Sequence, residues 1–153
     1  MIIIAMNIDL TRFYYNSDKE HKTKKTLEIF DVNLNDVLMK PHLYNNKVIK
    51  VKGYYHISFE NSSLAPIKNS FNAIWVELLT NDTIIYKLNN KEIKQTLEKY
   101  FWRKNNFFNE KYVEVIGLFD NKDKGHMNAF KGTIKDLKEF RILSELDSSV
   151  IKK

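Results

Sequence analysis

From Lys47 to Ile57 the chain alternates: Ile49, Val51, Tyr55 and Ile57 fall on one parity, and Lys50, Lys52 and His56 on the other. A period of two marks a strand with one face buried and one face wet. The run is long, and Gly53 sits in its middle on the inward parity. Glycine weakens a strand interior, so it predicts a bulge or a sharp bend at this point. A long first strand bent at a glycine is what a small closed barrel requires.

Other segments fit the same architecture. Leu27–Val32 reads as a short strand. Asn33 or Asn35 can cap a following helix with Leu34, Val37 and Leu38 on one face, because a side-chain oxygen there accepts from a free first-turn amide. Pro41 forces an extended residue before it and should end that helix. Residues 58–72 read as a long connection with Pro66. Ala73–Leu79 and Thr83–Leu88 read as two strands of a hairpin around Thr80-Asn81-Asp82. Ile93, Leu97, Tyr100 and Phe101 recur at helical spacing, with Asn90 as cap and Arg103 and Lys104 in the last turn, which predicts a helix over 90–104. Tyr112–Phe119 and Ala129–Leu143 are the last strands. The parity of the final one breaks near Asp136, and a bulge would restore it.

The expected fold is therefore mainly β: a five-stranded OB-like Greek-key barrel, with a helix between its third and fourth strands and an N-terminal extension; a split barrel or an α+β sandwich would also accept this order. Residues 1–32 form the extension, 33–143 the barrel domain and 144–153 a loosely held tail. Ile49, Val51, Ile74, Val76, Leu78, Val113, Val115 and Ile134 are the expected barrel core. At 153 residues and 43% hydrophobic content, one such core can be built.

Helix-to-strand passage Asp36-Val37-Leu38 … Tyr44-Asn45-Asn46-Lys47-Val48-Ile49-Lys50-Val51-Lys52-Gly53-Tyr54, then Tyr112-Val113-Glu114-Val115-Ile116-Gly117, then Gly125-His126 … Lys131-Gly132-Thr133-Ile134, resembles small bacterial OB-fold-like proteins. The resemblance spans Asn35 to about Ile142. It implies a binding scaffold rather than a reaction.

Composition narrows the chemistry. Without cysteine there is no disulfide, thiol nucleophile or cysteine-ligated metal, which fits a reducing, cytoplasmic setting. The Met1–Met6 run has no basic start and is broken at Asn7 and Asp9, so it reads as a terminal strand or short helix rather than a secretory signal. No stretch approaches the ~20 apolar residues of a membrane span. His21, His42, His56 and His126 show no metal-ligand spacing, and no nucleophile elbow, phosphate loop or dinucleotide fingerprint occurs. Neither an enzyme, a metal site nor a cofactor is expected.

Two binding surfaces stand out. Trp102 would lie opposite Ile93 on the predicted helix, outside its apolar stripe, beside Arg103, Phe107 and Phe108. Trp and Arg are enriched at protein contacts, so these four residues suit a protein partner. The other surface is the outer barrel face, where OB folds take oligonucleotides. Around Lys50, Lys52, Tyr54, Trp75 and Glu77 it would supply Trp75, Tyr86 and Lys87, bordered by the loops 58–72 and 121–128, with Lys122, Lys124 and His126 adding positive charge. The net charge of +6 invites a polyanion, but nearly all the basic residues are lysines, and arginine is the better phosphate fork. The leading expectation is a non-catalytic protein-interaction domain, of the inhibitor or immunity type, with an unidentified protein partner. Single-stranded nucleic acid is the alternative ligand.

Overall fold

The computed structural model describes residues 27–58, 60–79, 81–88, 91–96 and 109–143. In chain order these form β1 (Ile29–Asp31), α1 (Leu34–Met39), β2 (Lys47–Ser58), β3 (Asn61–Ala65), β4 (Ile74–Val76), β5 (Thr83–Leu88), β6 (Lys91–Thr96), β7 (Lys111–Asp120) and β8 (Thr133–Ile142). Strand β2 pairs antiparallel with both β3 and β7. Next, β3 pairs antiparallel with β4, β4 parallel with β8, and β8 antiparallel with β7. The ring β2-β3-β4-β8-β7 is thus closed, and the fold is a mainly β, OB-like barrel of five strands. Outside the ring, β1 lies parallel to the first half of β2, and β5 lies parallel to the second half of β8.

Alternation fills the interior. Ile49, Val51 and Tyr55 of β2 meet Leu64, Ile74, Val76, Val113, Val115, Phe119, Ile134 and Phe140, all essentially inaccessible to water. Seven of the eight expected core residues are buried, and Leu78 packs half-buried against the same cluster. Burying such side chains contributes ~1.5–3 kcal/mol each, which is the main force holding the ring shut. Asn33 caps α1 by accepting from the Asn35 amide at 2.8 Å, and the helix ends at Met39, before Pro41. Its Leu34, Val37 and Leu38 point into the core. This is the lone α-helix among the described residues, and it precedes the barrel. No described helix is long and apolar enough to cross a membrane.

Four local expectations are corrected. Residues 91–96, placed in a helix, form β6, paired with β5 from Leu88↔Lys91 to Thr83↔Thr96. Pairing with β5 overrides a helical period that only Ile93 supports in this stretch. The remainder of the predicted helix, residues 97–104, lies outside the described residues. Second, β4 and β5 form no hairpin, because the edge of β4 is taken by β8 in closing the ring. Third, the supposed connection 58–72 contains β3, whose sequence Asn-Ser-Ser-Leu-Ala has almost no strand-forming side chains. Fourth, Gly53 makes no bulge: it pairs in unbroken register with Val113. A Cβ there would stand 2.7 Å from the Ala65 carbonyl oxygen and 2.8 Å from Leu34, so glycine lets α1 and β3 approach the strand. The bulge expected near Asp136 is present: Ile116 pairs with Glu139 but Leu118 with Lys135, and Asp136 has φ 50°.

Candidate functional site

The candidate site is a trough on the outer face of β2, β3 and β4. Tyr55, Leu64, Ile74 and Val76 point inward, so the alternate residues point out. The outward residues of β3 are small: Asn61, Ser63 and Ala65. Tyr54 and His56 of β2 stand beside Ala65 and Ser63, and Trp75 of β4 stands on the other side of Ser63. Three strands spaced ~4.8 Å apart put these aromatic walls roughly 10 Å from each other over a low floor. Tyr112 backs Tyr54 edge-on at 5.0 Å.

Beneath the floor a buried polar chain joins the same three strands. The Tyr55 hydroxyl donates to Ser62 Oγ at 2.8 Å, and Ser62 Oγ donates to the Val76 carbonyl at 2.6 Å. Burial pushes the Tyr55 phenol above its ordinary range, so it stays a donor. Tyr55→Phe should cost about 0.5–1.5 kcal/mol, read as a lower denaturant midpoint at unchanged slope.

At one end of the trough, residues 121–132 fold back onto Trp75. Phe130 packs against the indole at 5.2 Å and His126 at 6.5 Å. Gly125 lies directly on it: a Cβ there would come within 2.6 Å of Trp75, and φ 62°, ψ −157° is backbone that side chains avoid. His126 Nε2 reaches Glu60 at 3.4 Å, linking this loop to the β2–β3 turn. Glu60, Met127 and Asn128 at this rim all have positive φ.

Asp120 anchors the loop. Its Oδ1 accepts from the amides of Lys122 and Asp123, and Oδ2 accepts from Lys135 Nζ at 2.8 Å. The Lys135 bond, then the backbone amides, hold the carboxyl below its ordinary range. A depressed folded-state pKa gives stability that is complete at neutral pH and is lost as pH falls through that lowered value. We therefore expect the loop to stay docked until pH drops below the ordinary carboxylate range of about 3.9. Fluorescence of Trp75, followed in a Trp102→Phe background, should change there in the parent and at higher pH in Lys135→Met.

The other end of the trough is lined by residues 67–71. A recess of about 250 Å3 opens there between Ala65, Tyr54, His56, Ile67, Lys68 and Phe71, with Glu110 on its edge. Lys68 Nζ rides 5.5 Å above the Tyr54 ring. Ile67 is 65% and Phe71 100% exposed. Among the described residues no opposite charge lies within ion-pairing distance of Lys68 or Glu110.

Trp75 and His126, picked out from sequence, do come together, with Lys122 and Lys124 exposed in the same loop. Tyr86 and Lys87 do not join them. Ile85 pairs with Arg141 and Trp75 with Thr133, at opposite ends of β8 and roughly 25 Å apart along the strand. Trp102, Arg103, Phe107 and Phe108 lie outside the described residues. Sequence reasoning missed Glu60, Ser63, Ile67, Phe71 and Phe130 as site residues. The one available signal was two large apolar residues, Ile67 and Phe71, in an otherwise polar segment. Among the described residues no group of three or more His, Asp or Glu converges to hold a metal ion. Comparison with protein-family models, with curated proteins and with solved structures finds no match to this chain.

Proposed function

We propose that this protein is a non-catalytic interaction module, of the kind an inhibitor or immunity protein represents, and that it holds a partner protein in the trough over β3. The carrying observation is where apolar surface is left bare. Phe71, Met127 and Ile67, the most exposed large apolar side chains among the described residues but for Met39, sit on the two loops that bound the aromatic trough. Water gives no reason to keep such side chains bare at both ends of one trough, and contact with another protein does. Charges around it are mixed, with Lys68, Lys122 and Lys124 against Glu60, Glu110 and Asp123, which suits a protein surface better than a polyanion. A photo-cross-linking residue in place of Phe71 should yield one discrete adduct in cells, lost on adding Trp75→Ala. The same residue in place of Leu43, exposed on the 3₁₀ turn after α1, should yield none. Equal labelling from both positions would end this reading.

A second reading is favoured by the Trp75–Phe130 platform, because it lies on the face where OB folds stack bases. Under that reading a labelled single-stranded oligonucleotide binds with affinity that falls steeply with salt. Trp75→Ala and Lys124→Ala would weaken it, while Tyr86→Ala and Lys87→Ala would leave it unchanged. No anisotropy change at low salt would remove it.

A further inference from the structure

We infer that the partner enters the trough as an extended segment that inserts one large apolar side chain into the recess beside Phe71, with an acidic neighbour at Lys68 and a basic one at Glu110; this rests on the interaction reading above. The dimensions choose the shape of the occupant. Walls whose backbones stand roughly 10 Å apart are narrowed further by Tyr54, His56 and Trp75, whereas an α-helix with side chains measures ~10–12 Å across. The walls already cover Ser63 and Ala65, so a helix stays outside, and an extended chain lying across them reaches the recess with a side chain.

Pairing in the barrel chooses the mode. The edges of β3 are occupied by β2 and β4, so its backbone has no row of free donors for an added strand. Recognition runs through side chains alone. The recess, at about 250 Å3, has room for one side chain and not for a folded element. Ala65, Ile67, Phe71 and Tyr54 give it an apolar side, and His56, Asn61, Ser63, Asn69 and Ser70 a polar one. Its two ions, Lys68 and Glu110, carry opposite charge and lack ionic partners among the described residues, so an incoming segment with complementary charges meets no competing salt bridge. Opposite charges flanking an apolar anchor set register and exclude wrong partners.

The test is an amide-resolved NMR titration of the whole protein with blocked tripeptides at millimolar concentration. The probes are acetyl-Glu-Phe-Lys-amide, acetyl-Glu-Phe-Glu-amide, acetyl-Lys-Phe-Lys-amide and the control acetyl-Glu-Ser-Lys-amide. Hexathymidylate is run alongside. Shifts should cluster at Ala65, Lys68, Phe71 and Glu110, with the mixed-charge phenylalanine peptide tightest and the serine peptide silent. Lys68→Glu should move the preference to the dibasic peptide, and Glu110→Lys to the diacidic one, each by roughly two- to fivefold. Both positions are exposed, and the amide spectrum itself reports whether each variant is folded. An order of preference unmoved by either charge reversal overturns the inference. So does a serine peptide that binds as well as its phenylalanine counterpart, or hexathymidylate shifting these amides where the peptides do not. If the cross-link from position 71 persists while the peptides ignore the recess, this inference fails alone. If neither appears, the interaction reading falls with it.

Discussion

Replacing Phe140 with alanine should remove about 3–5 kcal/mol of stability, the cost of deleting a large aromatic from a close-packed interior. The ring is 1% exposed and stands edge-on to Tyr55 at 5.1 Å. Its backbone pairs with Val115 of β7 on one side and with Ile84 of β5 on the other. Deleting the ring therefore leaves a void where the barrel wall meets the added hairpin, and it strips Tyr55 of its aromatic neighbour. Domains of this size hold only ~5–15 kcal/mol in total, so the variant should unfold at a far lower denaturant concentration or fail to fold at physiological temperature. A midpoint within about 0.5 kcal/mol of the parent would mean that Phe140 does not fill the core as described.

Gly125→Ala should be nearly as costly and should also disable the trough. Holding a side chain in a sparsely populated backbone region costs about 1–3 kcal/mol. The new methyl overlaps the Trp75 side chain, and overpacking of this sort adds about 1–3 kcal/mol. The protein can relieve both only by lifting the 121–132 loop off the indole. Trp75 emission should shift to the red in a Trp102→Phe background, and the cross-link from position 71 should weaken. Lys124→Ala, one residue away and exposed, should change neither the emission nor the midpoint. Equal behaviour of the two variants would show that the loop does not depend on the glycine.

The barrel was legible where alternation was strong. Lys47–Ile57 and Tyr112–Phe119 carry enough branched and aromatic residues on one parity to declare both strand and face. Parity loss at Asp136 foretold the bulge, and Asn33 with Pro41 bounded α1. Strand β3 was not legible, because Asn61-Ser62-Ser63 is loop chemistry by composition. Those residues become a strand only because β2 and β4 supply partners on both sides. The same small side chains make the trough floor, so the property that hid the strand also hid the floor between Tyr54 and Trp75. Strand β6 was hidden by an accident of spacing, with Ile93 fitting a helical stripe whose other members lie beyond Thr96. Trp75 and His126 could be named as residues, but their meeting depends on the return of the β7–β8 loop, which no local pattern records.

Ring closure by β4 and β8 sets an order of events during synthesis. Trp75 pairs with Thr133, 58 positions later (133 − 75), and the two strands run parallel. Until the last tenth of the described barrel has emerged, β4 offers an open edge, and β7 has only β2 beside it. Loops this long close slowly, because chain entropy is lost before any contact rewards it. A nascent chain stalled ahead of Thr133 thus exposes both the barrel interior and a free strand edge, the state in which a protein of this kind is most open to aggregation and to capture by chaperones.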